Sequence, residues 1–393
     1  MPEELAYALI TPYSLLKSRT GGIISRLCIA DLDLAAARML APSDEFVDSY
    51  KDLLIAQGIQ SPVKEALLDY CDAYLRPNNR LGISNRVLLL LFQGKDAARV
   101  LNDDVVGAIS RAPRGDTVRG TYGDFVVTRD GDVHYFEPAC FICPDPAAMP
   151  KHLELLAHFA DQDGGIVTNA VKLPDSGTAE TTLVILKPDN FKRGSARPGN
   201  IVDMFAKTGL FIVGAKVLHL TVAQGEEFYG PLRSIFVEKL RGNVTHRAAE
   251  SLREAFAFDV PDDAVGEIGD ILKTYNAEFE FNTIVEYMTG RNPARLADPE
   301  ERSLPGIEKC LALLYHGYDA IGKIRDRLGT TNPHEAKAGS IRSVYGDDLM
   351  RNAAHASDSV ANAERERRII GLWDDEKPCD VKVIIDDYLA SLG

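Results

Sequence analysis

Short unbroken apolar runs alternate along this chain with stretches whose apolar positions recur at helical spacing. Val87 to Phe92, Leu183 to Leu186 and Leu311 to Tyr315 are too short for helices and read as buried strands, and Phe211 to Leu220 reads as a further strand. Gly199 to Thr208 and Asp319 to Leu328 read as helices, and Arg247 to Phe258 and Gly266 to Tyr275 as amphipathic ones. Phe125 to Phe136 alternates and turns at Asp130-Gly131, the pattern of a hairpin. Strands and helices in this order suit a small antiparallel sheet with helices on one face, an α+β fold.

The same unit is readable twice. Leu9-Ile10-Thr11-Pro12, followed by Gly21-Gly22-Ile23-Ile24, mirrors Ile185-Leu186-Lys187-Pro188, followed by Pro198-Gly199-Asn200-Ile201, with Thr11 standing 176 positions before Lys187. Leu91 to Ala97 mirrors Leu314 to Ala320, and Thr117 to Asp124 mirrors Ser340 to Asp347, both at an offset of 223. The second copy is therefore 47 residues longer in its middle, between Phe236 and Pro305, where the two amphipathic helices fall. Three collinear matches with one consistent length difference favour a duplication over two unrelated domains. Asp163-Gly164-Gly165 and Pro174-Asp175-Ser176-Gly177 supply turn chemistry for a boundary within 162–180. The expected domains are 1–165 and 178–393, with a helical insertion at about 237–304.

A chain of 393 residues exceeds one ordinary core, and 45% hydrophobic with 26% charged residues is usual for a globular protein. The net charge of −14 opposes broad binding of nucleic acid or of an anionic membrane, so an anionic ligand needs a local basic cluster. Six scattered cysteines fit a reducing cytosol. Glu3, Glu4 and Pro12 do not read as a signal peptide, and no apolar run is long enough to cross a bilayer.

The candidate chemistry lies in the second copy. His355 is preceded by Asn352 and followed by Ala356-Ser357-Asp358-Ser359 and by Glu364 and Glu366, so an imidazole stands among an amide, hydroxyls and carboxylates. Upstream are Lys187-Pro188-Asp189 at a strand end, Arg325 before Gly329-Thr330-Thr331-Asn332-Pro333, and Arg342 in a Gly339-Ser340-Ile341-Arg342 turn. Guanidinium forks match phosphate oxygens, and a neutral imidazole can take up a phosphoryl group. No Gly-rich phosphate loop with a Gly-Lys-Ser/Thr end is present.

Collinear as well as alike in kind, this set resembles the nucleoside diphosphate kinase family over roughly the second half of the chain. The resemblance implies two ferredoxin-like domains of that type in tandem. It also implies transfer of the terminal phosphate of a nucleoside triphosphate to a nucleoside diphosphate through a phosphohistidine on His355. Lys187, Arg325, Thr331, Arg342 and Asn352 would bind nucleotide, Ser357 and Glu366 would orient the reacting groups, and Tyr229 would support Lys187. Mg²⁺ would arrive with the nucleotide rather than in a protein cage. Ala356 stands where most members carry glycine. Phe281 to Met288 resembles the family's base-side helix, yet the stacking aromatic aligns with Glu280, leaving Phe279 as its substitute and Phe281 beside it. The family's repeated copies imply a homo-oligomer or an intramolecular pseudo-dimer.

In the first copy Thr11 stands at the Lys187 position and Arg119 at the Arg342 position, while the Thr-Asn-Pro and His-x-Ser-Asp stretches are absent. His134 reaches the His355 position only with a two-residue insertion, and then has Tyr135 and Phe136 as neighbours. The expectation is an unreactive first copy. Cys140-Phe141-Ile142-Cys143 lacks a second ligand pair and reads as incidental thiols, and His316 has no companion suggesting a metal or a base. A rival reading is a catalytically impaired nucleotide-binding or interaction protein that keeps the fold. A third is a phosphohistidine protein with a non-nucleotide acceptor.

Overall fold

The computed structural model describes residues 3–110, 113–373 and 377–393. In the first half, β1 (Glu4–Ile10), α1 (Thr20–Leu27), β2 (Asp33–Leu40), α2 (Asp44–Ala56) and β3 (Val87–Gly94) are followed by a hairpin of β4 (Asp124–Val127) and β5 (Val133–Glu137), then β6 (Cys140–Phe141) and α3 (Met149–Ala160). The second half begins with β7 (Ala179–Leu186), α4 (Arg197–Ala206) and β8 (Phe211–Leu218). Helices α5 (Val222–Tyr229), α6 (Leu232–Lys239), α7 (Arg241–Ala255) and α8 (Asp262–Thr289) come next. The chain closes with β9 (Cys310–Tyr318), α9 (Ala320–Leu328), α10 (Ile341–Tyr345), β10 (Ala354–Ala356), α11 (Val360–Ile369) and α12 (Asp380–Ser391).

Two four-stranded sheets result, ordered β2-β3-β1-β6 and β8-β9-β7-β10. Taken strand by strand, the two orders are the same. β1 pairs antiparallel with β3 from Glu4 opposite Gly94 to Ile10 opposite Leu88, and β7 with β9 from Ala179 opposite Tyr318 to Leu186 opposite Leu311. Leu5 to Ile10 and Val87 to Phe92 are buried at every position, which explains unbroken apolar runs in place of alternation. Each such Leu, Ile or Phe contributes roughly 1.5–3 kcal/mol of transfer free energy. The fold is thus α+β, two ferredoxin-like sheets in tandem with helices, and a helical insertion in the second.

One compact unit comprises 1–217 and 311–393. Within it α1 packs on α4 with the backbones in contact: a Cβ on Gly199 would lie 2.2 Å from the Ser25 nitrogen and 2.3 Å from the Gly21 oxygen. The Ser25 hydroxyl also bonds the Ala196 carbonyl and the Asn200 side chain at the same crossing. The segment joining the halves runs between the edge strands β2 and β8. Gly165 donates to the Met39 carbonyl, Ala41 to that of Asp163, and Val167 to that of Val213.

Residues 218–310 form the second compact unit, built on α5 to α8. The helix expected over Arg247 to Phe258 runs from Arg241 to Ala255, and Phe256 and Phe258 beyond it are exposed. The one expected over Gly266 to Tyr275 is 28 residues long, opening after Pro261 and ending at Gly290 in the left-handed region (φ 74°). Arg241 clamps Asp270 with two bonds of 2.7 and 2.8 Å, joining α7 to α8. No helix among the described residues is long and apolar enough to cross a membrane.

Candidate functional site

His355 sits on the edge strand β10, opposite Ile185 of β7. Ala353, just before the strand, adopts φ 71°, a left-handed conformation that costs a non-glycine residue roughly 1 kcal/mol or more. Its carbonyl is fixed by the Lys187 N–H at 3.0 Å and the Asn190 amide at 2.7 Å. These bonds hold the bend and so set where the imidazole emerges. The flanking Ala354 and Ala356 are buried while the histidine side chain is about one-fifth exposed, at 22%.

The ring is braced by a buried carboxylate. One oxygen of Glu366, on α11, lies 2.9 Å from His355 Nε2 and accepts from the Ser357 hydroxyl at 2.6 Å. Burial opposes ionisation of Glu366, yet the nearby His355 ring and these two bonds outweigh it and hold the carboxyl below its usual range. An ionised carboxylate only accepts, so Nε2 carries the proton, and in the neutral ring the lone pair resides on Nδ1.

Around this pair the basic and amide groups interlock. Lys187 Nζ donates to Asn352 Oδ1 at 2.7 Å and to the Met350 carbonyl at 3.0 Å. Buried Asn352 in turn donates to the carbonyls of Thr331 and Leu349. Lys187, Thr331 and Asn352 are thus brought together although 144 and 21 positions separate them in sequence. Arg342 donates to the carbonyls of Gly329 (3.0 Å) and Ala354 (3.1 Å), tying the end of α9 to the strand that carries His355. Arg325, exposed on the last turn of α9, makes no ion pair among the described residues. Its charge helps keep Asp358 below the usual carboxylate range, after the larger effect of the Asn362 bond.

The remaining candidates belong to the helical unit. Tyr229 is buried at the end of α5. Phe281 is fully buried with the Arg233 guanidinium 3.9 Å from its ring centre, so it packs the interior and has no face to offer a base. Phe279 is 66% exposed. No group of three or more His, Cys, Asp or Glu that could hold a metal occurs among the described residues.

Two supporting residues went unremarked in the sequence. Asn190 fixes the Ala353 carbonyl, and Arg197 bonds both Asn190 and Asp189. Their signal was continuity with Lys187-Pro188-Asp189, but nothing in the sequence showed Arg197 folding back onto that motif.

The first half repeats the scaffold without the histidine. Arg119 donates to the carbonyls of Gly107 and Cys140 as Arg342 does to those of Gly329 and Ala354. Ala139 has φ 59°, and the Thr11 N–H donates to its carbonyl. Leu9 pairs with Phe141, as Ile185 pairs with His355. Phe141, not His134, therefore holds the histidine's register, and His134 lies in the separate β4–β5 hairpin. Cys140 and Cys143 are buried, and burial pushes both thiols up to about 12.

A carboxylate-braced imidazole thus stands on a segment bonded to Lys187 and Arg342. Residues 180–240 and 306–373 match the family model described as nucleoside diphosphate kinase. A nucleoside diphosphate kinase of Chlamydia trachomatis is 28% identical over 187 residues, covering 48% of this chain and 89% of that protein. One from Desulfitobacterium hafniense is 26% identical over 211 residues, covering 54% and 99%. A solved NDP kinase from Pyrobaculum aerophilum shares 26% identity, covering 49% of this chain and 94% of that one, with a TM-score of 0.34. Over its second half the chain is therefore similar to nucleoside diphosphate kinases. The stretch between the two matched segments contains α7 and α8.

Proposed function

We propose that this chain moves the terminal phosphoryl group of a nucleoside triphosphate to a nucleoside diphosphate by way of His355. The observation that carries the reading is the single Glu366 oxygen accepting from both His355 Nε2 and Ser357. It selects the ring tautomer whose Nδ1 lone pair attacks the γ-phosphorus. As the Nδ1–P bond forms, the bond from phosphorus to the β,γ-bridging oxygen breaks and the diphosphate leaves with that electron pair. The positive charge on the phosphorylated ring is balanced by the Glu366 carboxylate. A β-phosphate oxygen of the second nucleotide then attacks phosphorus and returns the pair to Nδ1.

Lys187, Arg325, Arg342, Thr331 and Asn352 are the groups we assign to nucleotide phosphate and sugar. Mg²⁺ carried on the phosphates would neutralise charge on the moving group. The packing of α1 on α4, and the segment 163–167 bonded to β2 and β8, support a tandem duplicate in which the first half fills the place of a partner subunit.

Incubation with γ-³²P-labelled triphosphate is expected to leave an acid-labile, base-stable label that diphosphates discharge and His355→Ala removes. Undiminished labelling of that variant would sink the assignment. Nucleotide binding without any labelling would favour the impaired reading, and labelling without discharge would favour a non-nucleotide acceptor.

A further inference from the structure

Away from His355, and within the larger unit, the two halves enclose a cavity of about 220 Å³ whose polar groups nothing in the chemistry above uses. Arg86, the residue before β3, lines it and is 4% exposed. Its Nε donates to Ser84 Oγ at 2.9 Å and one terminal nitrogen to the Ile212 carbonyl, while its guanidinium lies 5.1 Å from the Phe211 ring centre. Among the described residues no carboxylate pairs with it. Burial pushes the group down to about 10, still cationic at neutral pH. A charge buried without a counter-ion is costly, and folds ordinarily pair it or hydrate it.

Tyr315 of β9 lines the same cavity, is 1% exposed, and its hydroxyl has no hydrogen-bond partner among the described residues. Burial raises its pKa, so it remains a donor. A cation without a counter-ion and an O–H donor without an acceptor among the described residues thus line one space. The rest of the wall is largely apolar, with Leu15, Val202, Ala206 and Leu210, and exposed Leu16 and Ser18 on the same wall connect it to solvent.

We propose that this cavity binds a small monocarboxylate with a short apolar chain, its head held by Arg86 and the Tyr315 hydroxyl. With two of its nitrogens already committed, Arg86 leaves one terminal nitrogen, which with the tyrosine O–H matches the two oxygens of a carboxylate. A phosphate would require more donors than these. At ~30 Å³ per water, the space equals roughly seven waters, which suits a chain of a few carbons rather than a nucleotide.

Titration calorimetry of the full chain with pentanoate, pentan-1-ol and inorganic phosphate tests this. Pentanoate is expected to bind saturably below ~10 mM, and the alcohol and phosphate not to. Tyr315→Phe, which keeps the ring and its packing, is expected to weaken pentanoate by about tenfold or more, and Arg86→Met to abolish it. His355→Ala should bind pentanoate like the parent, so this site stands or falls separately from phosphotransfer. If Arg86→Met does not fold, the tyrosine variant decides. Absence of saturable pentanoate binding, unchanged affinity in Tyr315→Phe, or preference for inorganic phosphate would each overturn the proposal.

Discussion

Replacing Glu366 by Gln keeps the size of the side chain and removes its charge. In the parent, one carboxylate oxygen serves two donors at 2.9 and 2.6 Å in a side chain only 7% exposed. A glutamine there presents one acceptor oxygen and one NH₂, and the NH₂ cannot accept from Nε2–H. If it faces the ring it favours the tautomer with the proton on Nδ1, the nitrogen that must attack. If the oxygen faces the ring, the tautomer survives but the phosphorylated imidazolium loses its counter-charge. A hydrogen bond to a charged group is worth about 1.5–3 kcal/mol, which corresponds to a phosphorylation rate roughly 10- to 100-fold lower. The assay is a rapid-quench single turnover with γ-³²P triphosphate, read as the rate of label entering the protein. Ser357→Ala removes only one of the two donors and should cost less. A Glu366→Gln rate within about twofold of the parent would refute the claim that this carboxylate sets the tautomer. The pH dependence supplies a second check. Because the folded carboxyl titrates below its ordinary range, its bracing is intact above the unfolded value of about 4.3 and is lost only as pH falls through the folded value, so a rate lost nearer neutrality would belong to another group.

Asn352→Ala removes three bonds from a buried amide and leaves the Thr331 and Leu349 carbonyls short of a donor, so denaturant unfolding should show a loss of about 2–3 kcal/mol. Gly199→Ala drives a methyl into the backbone of α1, 2.2 Å from the Ser25 nitrogen, and should cost about 1–3 kcal/mol or more by the same measurement; a loss near zero would show that the helices can part freely. Glu137, buried beneath Tyr70 and Thr11, is pushed up to about 7, mainly by burial, with the hydrogen bonds pulling it back. Its unfolded form ionises first, so stability should fall as pH rises from about 4.3 to about 7, by ~3 kcal/mol if the shift acts alone. Glu137→Gln should flatten that slope.

The strands were legible because Val87 to Phe92 and Leu183 to Leu186 are buried throughout, which leaves an unbroken apolar signature. The order of Lys187, Arg325, Thr331, Arg342, Asn352 and His355 was equally readable, and the structure brings Lys187, Asn352 and the Thr331 carbonyl into one network. What the sequence concealed was register and facing. Phe279 and Phe281 are two positions apart on α8, about 200° around the helix, so one is exposed and the other interior, and motif similarity alone could not say which. Phe141 reached the place opposite Leu9 through pairing across 132 residues, which no local pattern encodes. Arg86 and Tyr315 stand 229 positions apart and line one cavity only because the two halves pack together.

The two halves also separate what an arginine does for the scaffold from what it does for chemistry. Arg342 donates to Gly329 and Ala354, and Arg119 makes the matching bonds to Gly107 and Cys140, beside a phenylalanine that cannot carry a phosphoryl group. The backbone clamp therefore exists where phenylalanine replaces the histidine, and burial of the Arg119 head group, pushed down to about 10, fits a structural post. Lysine gathers its donors on one nitrogen where the guanidinium reaches the two carbonyls from two separate nitrogens, so it matches that spacing less well. Arg119→Lys is expected to lower stability by about 1–3 kcal/mol while leaving the rate of label entry unchanged. Arg342→Lys should lose a similar amount of stability and also slow phosphorylation, since the strand carrying His355 is released and a phosphate donor is altered together. Equal slowing by both variants would mean that the first half's clamp is coupled to the histidine after all, and unchanged transfer in Arg342→Lys would remove Arg342 from the nucleotide site.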